Sequence, residues 1–189
     1  MATTSEADKV AYCNCMEQVK RRLRLIRLET TGGIRTGDEG ADAEFACLQV
    51  RRALELTAFA TLAANRERYS QIRADVENEW RAKRILDRLK QLHPDFYPVP
   101  VSPNRVGPGR WHFSEITDGY LTQDEFVELY DKCSDVLHEW NPFRPGRRQE
   151  RTASAGLVSL LVADRHPRGG CSRWSFWFSS PISRPSART

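Results

Sequence analysis

In the middle of a predicted helix over about 41–69, Arg51, Arg52 and Glu55 lie within about one helical turn of each other, and three charges so close could form a site. A solvated face explains the same residues, because Glu55 is within helical reach of both guanidiniums, and this is the expectation. Cys13 and Cys15 invite a metal-binding reading, but residues two apart on a helix point away from each other, and no second Cys/His pair completes a zinc spacing. His93 and His112 flank a proline-rich stretch without an accompanying acidic pattern. From Asp118 to Glu125 the chain imitates the second half of a calcium loop. The register excludes it, since Ile116 would occupy a ligand position and carries no side-chain oxygen. Thr122 and Glu125 account for the segment better as a capping box that opens a helix, with Gly119 in the preceding turn. There is no phosphate-binding glycine loop and no Gly-x-Ser-x-Gly elbow. Neither a metal nor a cofactor is expected.

Four helical segments must position these residues. Ser5 has the character of an N-cap, with Glu6 and Asp8 at the positive end of the helix dipole, and Tyr12, Met16, Val19, Leu23 and Ile26 recur at spacings of four and three. This helix ends at Thr30 to Gly33, and the polar loop from Gly32 to Gly40 reads as a mobile connection. A second helix, about 41–69, carries Phe45, Leu48, Leu54, Leu56, Phe59 and Leu62 among many alanines, so it is apolar around most of its circumference and reads as the central element. A third, about 70–92, has the stripe Ile72, Val76, Trp80, Ile85, Leu86 and Leu89, and Pro94 stops it. The prolines that follow make a stiff crossover, with Phe96 and Tyr97 laid over the core. A fourth helix places Phe126, Tyr130, Cys133, Leu137 and Trp140 on one face and ends at Asn141 and Pro142, with Phe143 folded back onto it. The fold class is therefore all-α: a bundle of four main helices with one long proline-rich connection before the last.

The charge changes abruptly where that bundle ends. Up to Phe143 there are 20 Lys and Arg against 23 Asp and Glu, whereas from Arg144 to Thr189 there are 9 against 2. The basic character belongs to residues 144–189, and the expected domains are 1–143 and this Arg/Ser/Pro/Gly-rich tail. Within the tail, Arg165, Arg168 and Arg173 are interleaved with Trp174 and Trp177, a composition that suits single-stranded nucleic acid through charge and stacking. Membrane-surface contact is a second reading. A third, the preferred one, is a poorly ordered or aberrant, out-of-frame C-terminus. No stretch approaches a membrane span and no leader is evident, so a cytoplasmic location is expected. The five cysteines fall mostly within apolar helical faces and are expected as reduced thiols.

The segment from Tyr130 to Phe143, taken with the stretch from Leu48 to Glu55, resembles the helical HEPN superfamily over residues up to about 143. In that superfamily a late helix carries an arginine, a spacer of four to six residues and then a histidine. Many members are metal-independent ribonucleases of toxin–antitoxin or phage-defence systems. Here Lys132, five residues and His138 take the corresponding positions. The resemblance implies His138 as proton donor or acceptor at a 2′-hydroxyl or leaving oxygen, Lys132 as stabiliser of the charged phosphorane-like state, and Asn141 as substrate-orienting group. It also implies a homodimer, because such sites are composite. Lysine lacks arginine's planar, bidentate grip, which points to a degenerate, non-catalytic member. A helix-end role for His138, at the negative end of the dipole, explains it without catalysis. The expected function is accordingly a protein-interaction module. A ribonuclease using His138, with RNA as substrate, and nucleic-acid binding through the tail are the alternatives.

Overall fold

The computed structural model describes residues 5–70, 78–92, 96–117, 119–139 and 143. Within them lie five helices and a two-stranded antiparallel sheet, a mostly helical protein.

Helix α1 (Glu6–Thr30) starts where Ser5 accepts the backbone N–H of Asp8 at 3.1 Å. Its end is a Schellman motif. The N–H of Gly32, at φ +78°, reaches the Glu29 carbonyl at 2.9 Å, and the N–H of Gly33 reaches the Leu28 carbonyl at 2.7 Å. Asp38 caps α2 (Glu39–Ala64) by accepting from the Ala41 N–H at 2.7 Å. The intervening loop, expected to be mobile, is tied down by Asp42. One carboxylate oxygen of this buried residue accepts both the Thr36 N–H and the Thr36 hydroxyl at 2.8 Å.

Helix α2 is the hub. α1, α3 (Arg66–Ser70), α4 (Ala82–Leu92) and α5 (Gln123–Leu137) all pack on it. Cys47, Val50, Ala53, Leu54 and Ala58 on α2 are fully buried. Cys47, Val50, Leu54 and Ala58 meet Ile26 of α1, Ile85, Leu86 and Leu89 of α4, and Phe126, Leu129, Cys133 and Val136 of α5 in one apolar cluster. Burial of each such Leu, Ile or Phe side chain favours the fold by about 1.5–3 kcal/mol. Thr57 and Thr61 are also buried, and their hydroxyls are satisfied by donating to the carbonyls four residues back, at 2.9 Å each.

Three expectations need correction. Helix α2 stops at Ala64 rather than near residue 69, because Asn65 caps it and the short α3 begins at Arg66. The expected third helix over 70–92 is interrupted: Glu79, Trp80 and Arg81 lie outside any helix, and regular helix resumes only at Ala82. Trp80, placed on the core stripe by its spacing, is 67 % exposed, and the Arg81 guanidinium lies 5.0 Å from its ring centroid. Ile72 and Val76, from the same stripe, fall outside the described residues. Phe143 does not fold back, being 90 % exposed.

The connection between α4 and α5 is also more than a stiff crossover. Phe96 is buried, and Tyr97 meets both Phe96 and Phe126 edge-on, with ring centroids 6.2 and 6.5 Å apart. The Tyr97 hydroxyl donates to the Leu121 carbonyl at 3.0 Å. Between these anchors the chain forms a β-hairpin, β1 (Val101–Gly107) and β2 (Arg110–Glu115), around a Pro108–Gly109 turn. The φ of +68° at Gly109 is what a type II turn requires at its third position, and Pro108 pre-sets the second. α5 then opens on the expected capping box, with the Glu125 N–H on the Thr122 hydroxyl and the Thr122 N–H on the Glu125 carboxylate.

The α1–α2 junction holds an electrostatic weakness. Glu29 is 6 % exposed, its Oε2 has no hydrogen-bond partner, and its Oε1 is 3.7 Å from the half-exposed Arg35. Burial pushes the Glu29 carboxyl above the ordinary value of 4.5, Arg35 opposes the shift and nearby Asp42 adds to it. A folded-state value above the unfolded one means that stability is full below the unfolded value and falls as pH rises through the raised one. Glu29→Gln, uncharged at every pH, is therefore expected to raise the melting temperature at pH 7 and to match wild type below about pH 4. Thermal melts across that range check this, and an equal or lower melting temperature at pH 7 contradicts it.

Candidate functional site

The three charged residues of the central helix do come together. Arg51 Nε is 3.3 Å and Arg52 Nη1 3.5 Å from the Glu55 carboxylate. What the sequence did not reveal is that α5 completes the group. The Tyr130 hydroxyl donates to Glu55 Oε1 at 3.4 Å, and the Arg51 guanidinium sits 4.9 Å from the Tyr130 ring centroid. Arg51 and Glu55 are half-buried and Arg52 is exposed, so the cluster is partly enclosed rather than a purely solvated face. Every charge in it already has a partner, which makes it a latch between α2 and α5. Beneath it lie the fully buried thiols of Cys47 and Cys133. Hydrogen bonding with Cys47 and then burial push the Cys133 thiol up, so it is held as a protonated, weakly nucleophilic thiol. Cys13, Cys15, Cys47 and Cys133 are all free thiols.

Of the residues implied by the HEPN resemblance, Lys132 and His138 make no hydrogen bond with each other among the described residues. Lys132, on α5, pairs with Glu128 at 2.5 Å, one turn back on the same helix. His138 is the C-cap of α5, exposed, with extended backbone (φ −89°, ψ 138°), and its N–H donates to the Ser134 carbonyl at 3.1 Å. Asn141 lies outside the described residues, as do Arg165, Arg168, Arg173, Trp174 and Trp177 of the tail and His93 of the proline-flanking pair. His112 is on β2 and exposed. Among the described residues no three His, Cys, Asp or Glu side chains are grouped as metal ligands would be. None of their helices is long and apolar enough to cross a membrane.

A polar recess of about 200 Å³ is lined by Asp8 and by residues of the α2–α3 junction, including Asn65, Arg66 and Arg68. Asp8 there accepts the Ser5 hydroxyl at 2.6 Å and an ion pair from Arg66 at 3.2 Å. The Ser5 hydrogen bond holds its carboxyl below the usual carboxylate range, and Arg66 contributes in the same direction. The Arg66 contact fastens the start of α1 to the start of α3, and the Asp8 carboxylate is occupied by these two partners.

The feature that stands apart is the hairpin. No helix packs appreciably on either strand. All six residues of β2 are exposed, and Val106, Trp111 and Phe113 are 64 %, 48 % and 54 % exposed. The pairing puts Arg105 opposite Trp111, and Pro103 opposite Phe113. Alternation along a strand then gathers Pro103, Arg105, Trp111 and Phe113 on one face and Ser102, Asn104, His112 and Ser114 on the other. Sequence reasoning missed this surface. The available signal was a Pro-Gly turn flanked by residues that alternate in polarity.

No protein-family model, curated protein or solved structure matches this chain.

The α2–α5 latch has a measurable strength. A double-mutant cycle on Arg51 and Tyr130, read from urea midpoints, is expected to return a coupling of about 1 kcal/mol. A coupling indistinguishable from zero would mean that the guanidinium and the ring are neighbours without mutual stabilisation.

Proposed function

We propose that this chain is a non-enzymatic interaction module, a helical bundle of HEPN-like type that works in the cytoplasm and presents the hairpin as its contact surface. The observation that carries the reading is the exposure of Val106, Trp111 and Phe113 on a hairpin left uncovered by the helices. Large apolar side chains grouped on such a projection mark contact surfaces, and aromatic residues with arginine are the types enriched in binding hot spots. The helical part supplies a rigid base: Phe96, Tyr97 and the hydrogen bond from the Ile116 N–H to the Pro100 carbonyl at 2.9 Å anchor both ends of the hairpin. The toxin–antitoxin or phage-defence setting belongs to the same proposal and rests on the resemblance alone.

The proposal leaves His138 without a catalytic role, in keeping with its place as the exposed C-cap of α5. RNA incubated with the protein in excess chelator is expected to stay intact with wild type and with His138→Ala alike. Cleavage by wild type that is lost in His138→Ala would restore the ribonuclease reading.

The contact surface is tested directly by photocrosslinking in cells, with a benzophenone side chain placed at Phe113 or, as a control, at exposed Glu17 on α1. Adducts are expected from position 113 only, and they should disappear when Trp111→Ala is added. Equal yields at both positions, or none at 113, would sink the hairpin as the interaction surface.

A further inference from the structure

The side chains on the hairpin narrow the choice of partner, an inference that rests on the interaction-module reading. From Phe96 to Ser114 the chain contains Arg105, Arg110 and His112 and no Asp or Glu. Among the described residues neither Arg105 nor Arg110 forms an ion pair. Arg105 is the cross-strand neighbour of Trp111, and both are exposed. An unneutralised cation beside an aromatic plane favours an anionic partner and disfavours a second copy, which would set like charges against each other. Trp111 and Phe113 project from the same face of β2 about 6.8 Å apart. This is twice the rise of roughly 3.4 Å between stacked bases in one strand, so two rings can take consecutive bases or hold one base between them.

We infer that the Trp111/Phe113 face of the hairpin binds single-stranded nucleic acid. Bases stack on the two rings, and Arg105, with Arg110 near the turn, meets the phosphates. Sheet aromatics flanked by cations are a general solution for unpaired strands, because every base has a π-face and the backbone supplies uniform charge. The polar face, with Asn104 and His112, is turned away from the rings, so the contacts are to ring faces and phosphates, which RNA and DNA share. Recognition is therefore tolerant of both sequence and sugar. A duplex keeps its bases stacked on each other and binds less tightly. An anionic membrane surface would also attract Trp and Arg. Glu115, on the same face at the far end of β2 from the turn, repels either kind of phosphate there, and what favours the strand is the spacing of the two rings along β2, which suits stacked bases and has no counterpart in a headgroup.

The experiment uses the full chain and fluorescence anisotropy with labelled 12-nucleotide oligo(U), oligo(dT) and a blunt duplex, beside flotation with vesicles of mixed phosphatidylcholine and phosphatidylserine. Both single strands are expected to bind within a few-fold of each other and more tightly than the duplex. Because base–aromatic stacking is worth about 1–3 kcal/mol per base, Trp111→Ala and Phe113→Ala should each weaken binding roughly 5- to 150-fold. Trp111→Phe should retain most of it. Arg105→Ala should reduce the slope of log K against log salt by about 0.7, one phosphate's worth on a single strand. All these side chains are exposed, and unchanged circular dichroism establishes that the variants fold. Binding that ignores the hairpin substitutions would place the nucleic-acid contact elsewhere, the basic tail included, and overturn the inference. So would vesicle binding without oligonucleotide binding. If oligonucleotides fail while crosslinks at position 113 persist, only the nucleic-acid assignment falls. If the crosslinks are missing too, the hairpin is not a contact surface at all.

Discussion

An α-helix that is apolar around most of its circumference has to be covered on nearly every side, and α2 is such a helix. Cys47, Val50, Leu54 and Ala58 have no exposed surface, so α1, α4 and α5 must all reach it. The remaining architecture follows from that requirement. Frequent alanines let the neighbours approach closely, and the buried threonines satisfy their own hydroxyls within the helix instead of demanding partners from another element. Where polar groups from other helices do meet α2, they act as fasteners. The Arg22 guanidinium donates to Gln49 at 2.9 Å from α1, and the Arg51–Glu55–Tyr130 group ties α5.

Covering α2 occupies most of the apolar surface of the helices, with Val10, Leu28 and Leu48 left exposed, and the hairpin takes no part in it. Its strands bury little and its aromatic side chains are turned to solvent, a poor arrangement for stability, since a two-stranded ribbon alone is marginal. What keeps it in place is the pair of anchors at its base, Phe96 and Tyr97 on one side and the α5 capping box on the other. The result is a division of labour between a packed helical base and a projecting ribbon on which Val106, Trp111 and Phe113 are exposed. That division is the physical content of the proposed interaction role.

Helix ends were legible in the sequence because capping is local. Ser5, the glycines after Thr31, and the Thr122–Glu125 box all do in three dimensions what their spacing announces. The hub character of α2 was legible too, since an all-round apolar helix has one physical solution. Trp80 was misplaced because periodicity extends a stripe through a break as readily as through a helix, and nothing in residues 78–81 signals that regular helix pauses there. The hairpin is masked in the sequence because Pro94, Pro98, Pro100, Pro103 and Pro108 each lack the N–H that a strand ladder uses. Its turn, Pro108 and Gly109, is itself one of the strongest hairpin signals when alternating residues flank it.

By itself, then, the sequence determined the mostly helical class, the start of α1 and of α5, the central position of α2 and the candidates worth locating, because these depend on interactions within a few residues or on total apolar content. Only the tertiary structure decided which candidates meet. Arg51 and Glu55 find Tyr130, 75 residues away from Glu55, while Lys132 is occupied by Glu128 and His138 is set beyond the end of α5. It also decided which aromatics are buried and which are offered, enclosing Phe96 and Tyr69 and exposing Trp111 and Phe113. The reason is that burial is a property of a whole surface. A phenylalanine carries the same driving force wherever it stands, and only the packing of the other elements determines whether anything remains to cover it.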